Sequence, residues 1–145
     1  MPINLGIPYK PDLKGWPPGY IRDDIEIWRR YQQQAEQLYS AVYFQVRLGG
    51  TAATAAREAD NLAQAWAQLT AKRIDMVGEK ADGWDVIEFR MDAGPSSLGQ
   101  IQIYKTMWQK DPPDARPVRY MIITDRSDRD IAEAAKELGI EVVVV

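Results

Sequence analysis

Three charged residues near the middle of the chain, Asp75, Glu88 and Arg90, are spaced so that chemistry could fall to them. They lie in residues 72–90, KRIDMVGEKADGWDVIEFR, where polar and apolar residues alternate at the period of an extended strand around the turn dipeptide Asp82-Gly83. With that turn, the antiparallel register predicts Asp75 across from Arg90 and diagonal to Glu88, all three on one face. Ile74 and Met76 are predicted to share the opposite face with Ile87 and Phe89. The chain has no histidine and no cysteine. Thiol catalysis, Ser-His triads and imidazole-zinc sites are therefore excluded, and any chemistry rests on carboxylates, Lys, Tyr, Ser or Thr.

The elements that must position these residues follow from hydrophobic periodicity. Acidic residues Asp23 and Asp24 suit the start of a helix ending near residue 40, with Ile25, Trp28, Tyr31, Ala35 and Leu38 as its apolar stripe and a solvated face carrying Arg29 and Arg30. Val42, Phe44, Val46 and Leu48 alternate with polar or aromatic residues, which predicts a strand at a sheet edge. Alanine-rich residues 51–70 predict a helix. After the hairpin, a serine near Ser97 is expected to cap a helix over 98–109, followed by a strand over 118–124. A helix over 128–138 stops at Gly139, and 140–145 is a continuous apolar strand.

Ahead of these elements, residues 1–20 hold five of the nine prolines. Proline fixes φ and lacks a donor, so this segment is an extended arm and not a helix or central strand. It also carries Ile3, Leu5, Ile7, Tyr9, Leu13 and Trp16, side chains costly to leave in water. Two readings stay open: an arm packed along its own domain, or one laid on a neighbouring subunit. The expected organisation is thus an arm over 1–20 and one α/β domain over 21–145, a mixed central sheet with helices on both sides.

Eighteen basic and twenty-one acidic residues in a chain of 145 give a net charge of −3, which does not advertise nucleic-acid binding. Lys72, Arg73 and Lys80 form the only basic cluster near the hairpin, with a solvated strand end as its ordinary explanation. Trp84 and Trp108 read as packing residues. No apolar run approaches the roughly 20 residues of a membrane span.

The order helix, strand with Asp75, hairpin, strand with Glu88-Phe89-Arg90, then helix with Gln100 and Tyr104 resembles the PD-(D/E)XK nuclease fold. It is similar in particular to the RecB-like and lambda-exonuclease-like branch, with its Asp, Glu-x-Lys and Gln-x-x-x-Tyr motifs. The resemblance spans residues 54–125 and implies a restriction-endonuclease-like core. It further implies that Asp75, Glu88 and the Phe89 carbonyl hold Mg²⁺, that Gln100 and Tyr104 line the DNA side, and that Glu58 is a further acid. Arg90 departs from the family's lysine. Arginine stays protonated and prefers a bidentate carboxylate partner, so an ion pair from Arg90 to Asp75 or Glu88 is expected to close the site.

Two functions follow as expectations. One is a structural or assembly protein with a degenerate catalytic site (Asp75, Glu88, Arg90), binding copies of itself or other particle proteins through the arm. General resemblance places it at a bacteriophage neck or head-to-tail junction, made in the cytoplasm and carried in the virion, with no cofactor. The alternative is a Mg²⁺-dependent DNA nuclease.

Overall fold

The computed structural model describes residues 3–48 and 72–145. The helix expected over 51–70, and Glu58 with it, lie outside the described residues. The described strands form one five-stranded sheet in the order β1-β2-β3-β4-β5. β1 (Ala41–Leu48), β2 (Lys72–Lys80) and β3 (Gly83–Ala93) are antiparallel in succession, and β4 (Val118–Ser127) and β5 (Ile140–Val144) continue the sheet in parallel. The change of sense follows from the connections. Two residues between β2 and β3 can only reverse the chain, whereas β3 reaches β4 through α2 (Pro95–Lys110) and β4 reaches β5 through α3 (Arg129–Glu137).

Helices cover both faces. On one, α1 (Arg22–Leu38) buries Ile25, Ile27, Trp28, Tyr31 and Ala35 against Phe44, Met76, Ile87, Phe89 and Ile123. On the other, Leu98, Ile101, Tyr104 and Trp108 of α2 and Ala135 of α3 pack on Val46, Ile74, Val77, Val86 and Ile122. Each large apolar side chain removed from water contributes about 1.5–3 kcal/mol, so the sheet is clamped from two sides. Leu38, expected in the stripe of α1, is 42% exposed, and Ile27 takes a buried place instead.

The hairpin differs from expectation by one register step. β2 and β3 pair from Lys80↔Gly83 to Met76↔Ile87, so the turn residues are Ala81 and Asp82 and not Asp82-Gly83. Neither has positive φ. Gly83 is needed for another reason: a Cβ there would lie 2.9 Å from the Pro117 carbonyl oxygen, which accepts the Trp84 amide proton. Extended by one pair, the observed register sets Asp75 level with Glu88, not with Arg90.

The alternation also breaks at this level. Ile74 packs on the α2 side and Met76 on the α1 side, so the two do not share a face. β1 does the same: Phe44 and Val46, which pair with Met76 and Ile74, belong to opposite cores. Between them Gln45 holds φ at +54°, a left-handed conformation that costs free energy for a residue with a side chain.

Residues 3–20 contain no helix and pair with a strand backbone at one bridge, in which Tyr9 and Val42 exchange amide bonds of 2.8 and 2.9 Å. Ile3 and Leu5 pack on the α2-side core and Tyr9 and Leu13 on the α1-side core, while Ile7 and Trp16 are 71% and 59% exposed. Among the described residues, no helix is long and apolar enough to cross a membrane.

Candidate functional site

The break in alternation frees Asp75 from the ladder. Its Oδ2 accepts the Phe89 amide proton at 2.9 Å, and Tyr20 donates its hydroxyl to the Asp75 carbonyl at 2.6 Å. A side chain thus stands where a strand-to-strand bond would otherwise be, and β2 and β3 part around it. Phe89 lines the opening, while its ring is buried against Tyr20, Trp28 and Tyr31 on the α1 side.

Glu88, one residue earlier on β3, points to the α2 side and is 4% exposed. Burial, then hydrogen bonding and charge from neighbouring Asp75, push its carboxyl well above the usual range, with Arg90 acting in the opposite direction. Asp75 lies beside the Glu88 carboxyl and favours its neutral form. In the ionised form its buried Oε2 has no hydrogen-bond donor.

α2 supplies the facing wall. Its first turn is closed by Ser97, which lies inside the helix, not at its cap: Ser97 Oγ donates to the Gly94 carbonyl at 2.7 Å and accepts the Gly94 amide proton at 3.1 Å. From that start, Gln100 and Tyr104 fall one turn apart on the same face. Gln100 Nε2 donates to the Tyr104 hydroxyl at 2.9 Å, and Tyr104 donates to the Arg73 carbonyl of β2. The motif pair is therefore one linked unit braced on the strand that carries Asp75.

Asp75, Glu88, Phe89, Arg90, Gln100 and Tyr104, separated along the sequence, meet around one cavity of about 610 Å³. Arg73, from the basic cluster, also lines it, whereas Lys80 is committed to Asp85 at 3.0 Å. Trp84 and Trp108 are buried against each other, with centroids 5.8 Å apart. Ile3, Leu5, Ile7, Tyr9 and Trp16 lie outside the cavity wall.

The sequence reading missed Asp24, in the first turn of α1, which also lines the cavity. Burial first, then the Asp75 charge, raise its carboxyl to about 6. An acid at a helix start reads as a match to the helix dipole, so its second role is legible only once α1 is placed across the sheet from Asp75.

Arg90 does not close the site. Among the described residues it makes no ion pair with Asp75 or Glu88, and it acts on Glu88 and Asp24 through longer-range charge alone. The expected pairing fails for two reasons. The shifted register moves Asp75 from Arg90 to Glu88, and one Asp75 oxygen is already taken by the Phe89 amide.

A divalent cation fits this donor set. An orphaned buried carboxyl oxygen on Glu88 and a second carboxylate beside it offer hard oxygen donors that a divalent cation would take up in exchange for the Glu88 proton, and Arg90 is bonded to neither. Among the described residues no three acids form a ready-made cluster, so the protein offers the Asp75–Glu88 pair and remaining positions go to backbone or solvent oxygens.

No family model matches the chain. No curated protein matches it either. Among solved structures, it is similar to the crystal structure of a repair endonuclease from Pyrococcus abyssi, at 10% identity and a TM-score of 0.50. The match covers 90% of this chain and 49% of that one, so the chain spans about half the length of its structural neighbour. With the mixed five-stranded sheet and helices on both faces, the likeness shows the fold: this is a nuclease-like α/β chain of restriction-endonuclease-like architecture.

Proposed function

We infer that the chain is a metal-dependent nuclease acting on DNA phosphodiester bonds. The observation that supports this most is Glu88 Oε2, buried without a donor beside Asp75 at an open cavity. A retired site kept for structure has no reason to retain that cost of about 1–3 kcal/mol, and an ion pair from Arg90 would have removed it.

In this reading Asp75, Glu88 and the Phe89 carbonyl hold Mg²⁺. Bound there, the ion supplies Lewis-acid polarisation of the phosphodiester and neutralises its charge. Arg90, always protonated, donates to phosphate oxygens and does not take a proton. Gln100 and Tyr104 hold the α2 wall at a fixed distance from β2, and Asp24 gives the cavity a further acid. Hydrolysis forms one P–O bond to water and breaks one P–O ester bond, with a water proton ending on the departing alcohol.

The assembly reading has less support. Ile3, Leu5 and Tyr9 pack on their own chain, so only Ile7 and Trp16 of the expected contact residues are free for a partner.

The test is cleavage of labelled single-stranded and duplex DNA with Mg²⁺, Mn²⁺ or EDTA. Metal-dependent cutting that falls more than about 10²-fold in both Asp75→Asn and Glu88→Gln is expected. Absence of cutting in the wild type with either metal, on a protein whose melting is metal-independent, would sink the reading.

A further inference from the structure

A second cavity, of about 450 Å³, opens beside α1 and is lined by Trp16, Arg22, Ile25, Glu26, Arg29 and Arg30. We propose that Trp16, Arg22 and Arg29 form a platform that binds single-stranded DNA and leads it to the Glu88 cavity. The proposal rests on the nuclease reading for its purpose, though not for its chemistry.

Trp16 is the first observation. The other described tryptophans, Trp28, Trp84 and Trp108, are at most 3% exposed, while Trp16 is 59% exposed. Among the described residues its ring touches no other aromatic group and its indole makes no hydrogen bond. A free ring face in water is the surface on which an unpaired base stacks, for roughly 1–3 kcal/mol; a duplex offers no such face along its length.

Charge is the second. Glu26 is taken by Arg30 at 2.6 Å, and Arg30 is further held by Asp125. Arg22 and Arg29 make no ion pair or hydrogen bond among the described residues. Seven residues apart, they lie on one face of α1 and about 10 Å apart along its axis. A chain of net charge −3 thus leaves two uncommitted guanidiniums beside its one exposed indole among the described residues. That complementarity favours an anionic strand with accessible bases over an apolar protein partner.

Position is the third. Ile21, Asp23 and Asp24 line the Glu88 cavity, and Arg22 and Ile25 line this one. The two openings therefore share the first turns of α1, and a strand on Trp16 has only the helix start to pass before reaching Asp75 and Glu88.

The experiment is fluorescence anisotropy of a labelled oligothymidylate and of a duplex of equal length, in EDTA, so that neither metal nor cleavage enters. Single-strand affinity is expected to fall at least about tenfold in Trp16→Ala and to stay within about threefold in Trp16→Phe, with unchanged melting because the residue is exposed. The double variant Arg22→Ser, Arg29→Ser is expected to reduce the slope of log K against log salt by about 1.4. No single-strand binding by the wild type, an unchanged affinity in Trp16→Ala, or an equal loss on the duplex would overturn the platform. Trp16-dependent binding in a chain that never cuts DNA would uphold it while refuting the nuclease, and cutting with Trp16-independent binding would do the reverse.

Discussion

β3 carries two buried carboxylates three residues apart, Asp85 at 0% exposure and Glu88 at 4%, and the chain treats them in opposite ways. Asp85 faces α1. Arg119 of β4 grips it through Nε at 3.1 Å and Nη2 at 2.7 Å, Lys80 approaches to 3.0 Å, and the Tyr39 hydroxyl donates at 2.5 Å. Burial alone would raise this carboxyl, but Arg119, Tyr39 and Lys80 together hold it below its ordinary value. Even the backbone makes room: a Cβ on Gly78, its cross-strand neighbour, would lie 2.5 Å from the Tyr39 ring. Glu88 faces α2 with no cation bonded to it and one oxygen without a partner; Tyr104 and the more distant Arg90 act on it too weakly to offset burial and Asp75, and its carboxyl is raised. A buried charge with every oxygen answered is part of the frame. One left unanswered beside a cavity is poised for something that arrives from outside.

The largest effect is expected from breaking the satisfied member. Asp85→Asn leaves Lys80 without its anion and Arg119 with only Glu141 at 3.3 Å, and because both bases reach partly into solvent the cost is about 3 kcal/mol, toward the low end for a buried pair. Urea unfolding would show it as a lower midpoint at constant slope. Glu88→Gln should act with the opposite sign. The glutamine amide keeps a donor toward Asp75 and removes the cost of holding Glu88 protonated in the fold, so the metal-free protein gains about 1–3 kcal/mol at neutral pH. Were both variants to destabilise equally, the distinction between the two acids would be lost.

Metal addition sharpens the contrast next. At a free Mg²⁺ concentration tenfold above its dissociation constant the folded state gains about 1.4 kcal/mol. The melting temperature of the wild type and of Asp85→Asn should rise by a few degrees, and that of Glu88→Gln should not.

pH separates the two acids again. Asp85 has a lowered folded pKa, so its contribution is present above the ordinary carboxylate pKa and is lost as pH falls through the folded value. Glu88 has a raised folded pKa, so the metal-free fold is favoured below the ordinary carboxylate pKa and loses that stability as pH rises toward the folded value. Chemical denaturation across pH should therefore show Asp85→Asn flattening the acid limb and Glu88→Gln the neutral-to-alkaline limb.

The same comparison explains what is legible in the sequence. Periodicity places α1, β1, β3 and both crossover helices within a few residues, because amphipathic faces are local signals. The motif residues are found by type and order, and Gln100 and Tyr104 by helical spacing. The register is misread because Asp82-Gly83 carries a turn signal, whereas Gly83 serves the close approach of Pro117. The face change at Gln45 and Asp75 leaves no pattern, since it depends on Tyr20 and Phe89 meeting Asp75 from other elements. Asp85 and Glu88 look alike in WDVIEF. Only strand order, which sets Arg119 against Asp85 and the apolar Ile122 against Glu88, tells them apart.

The smallest effect concerns the two arginines that stand near these acids. Arg119 is locked onto Asp85, and exchanging it for lysine would lose the bidentate fork. Arg90 forms no such fork, and its guanidinium reaches Glu88 and Asp24 only as a charge. Lysine carries the same charge on a shorter, more compact head, so Arg90→Lys should leave folding stability within about 0.5 kcal/mol, as surface exchanges do. Arg119→Lys should cost more than that, because two directed bonds to a fully buried carboxylate cannot both be remade. Paired melts of the two variants decide the matter: equal losses would mean that Arg90 is a structural counterion after all, and the open reading of the Glu88 cavity would fall with it.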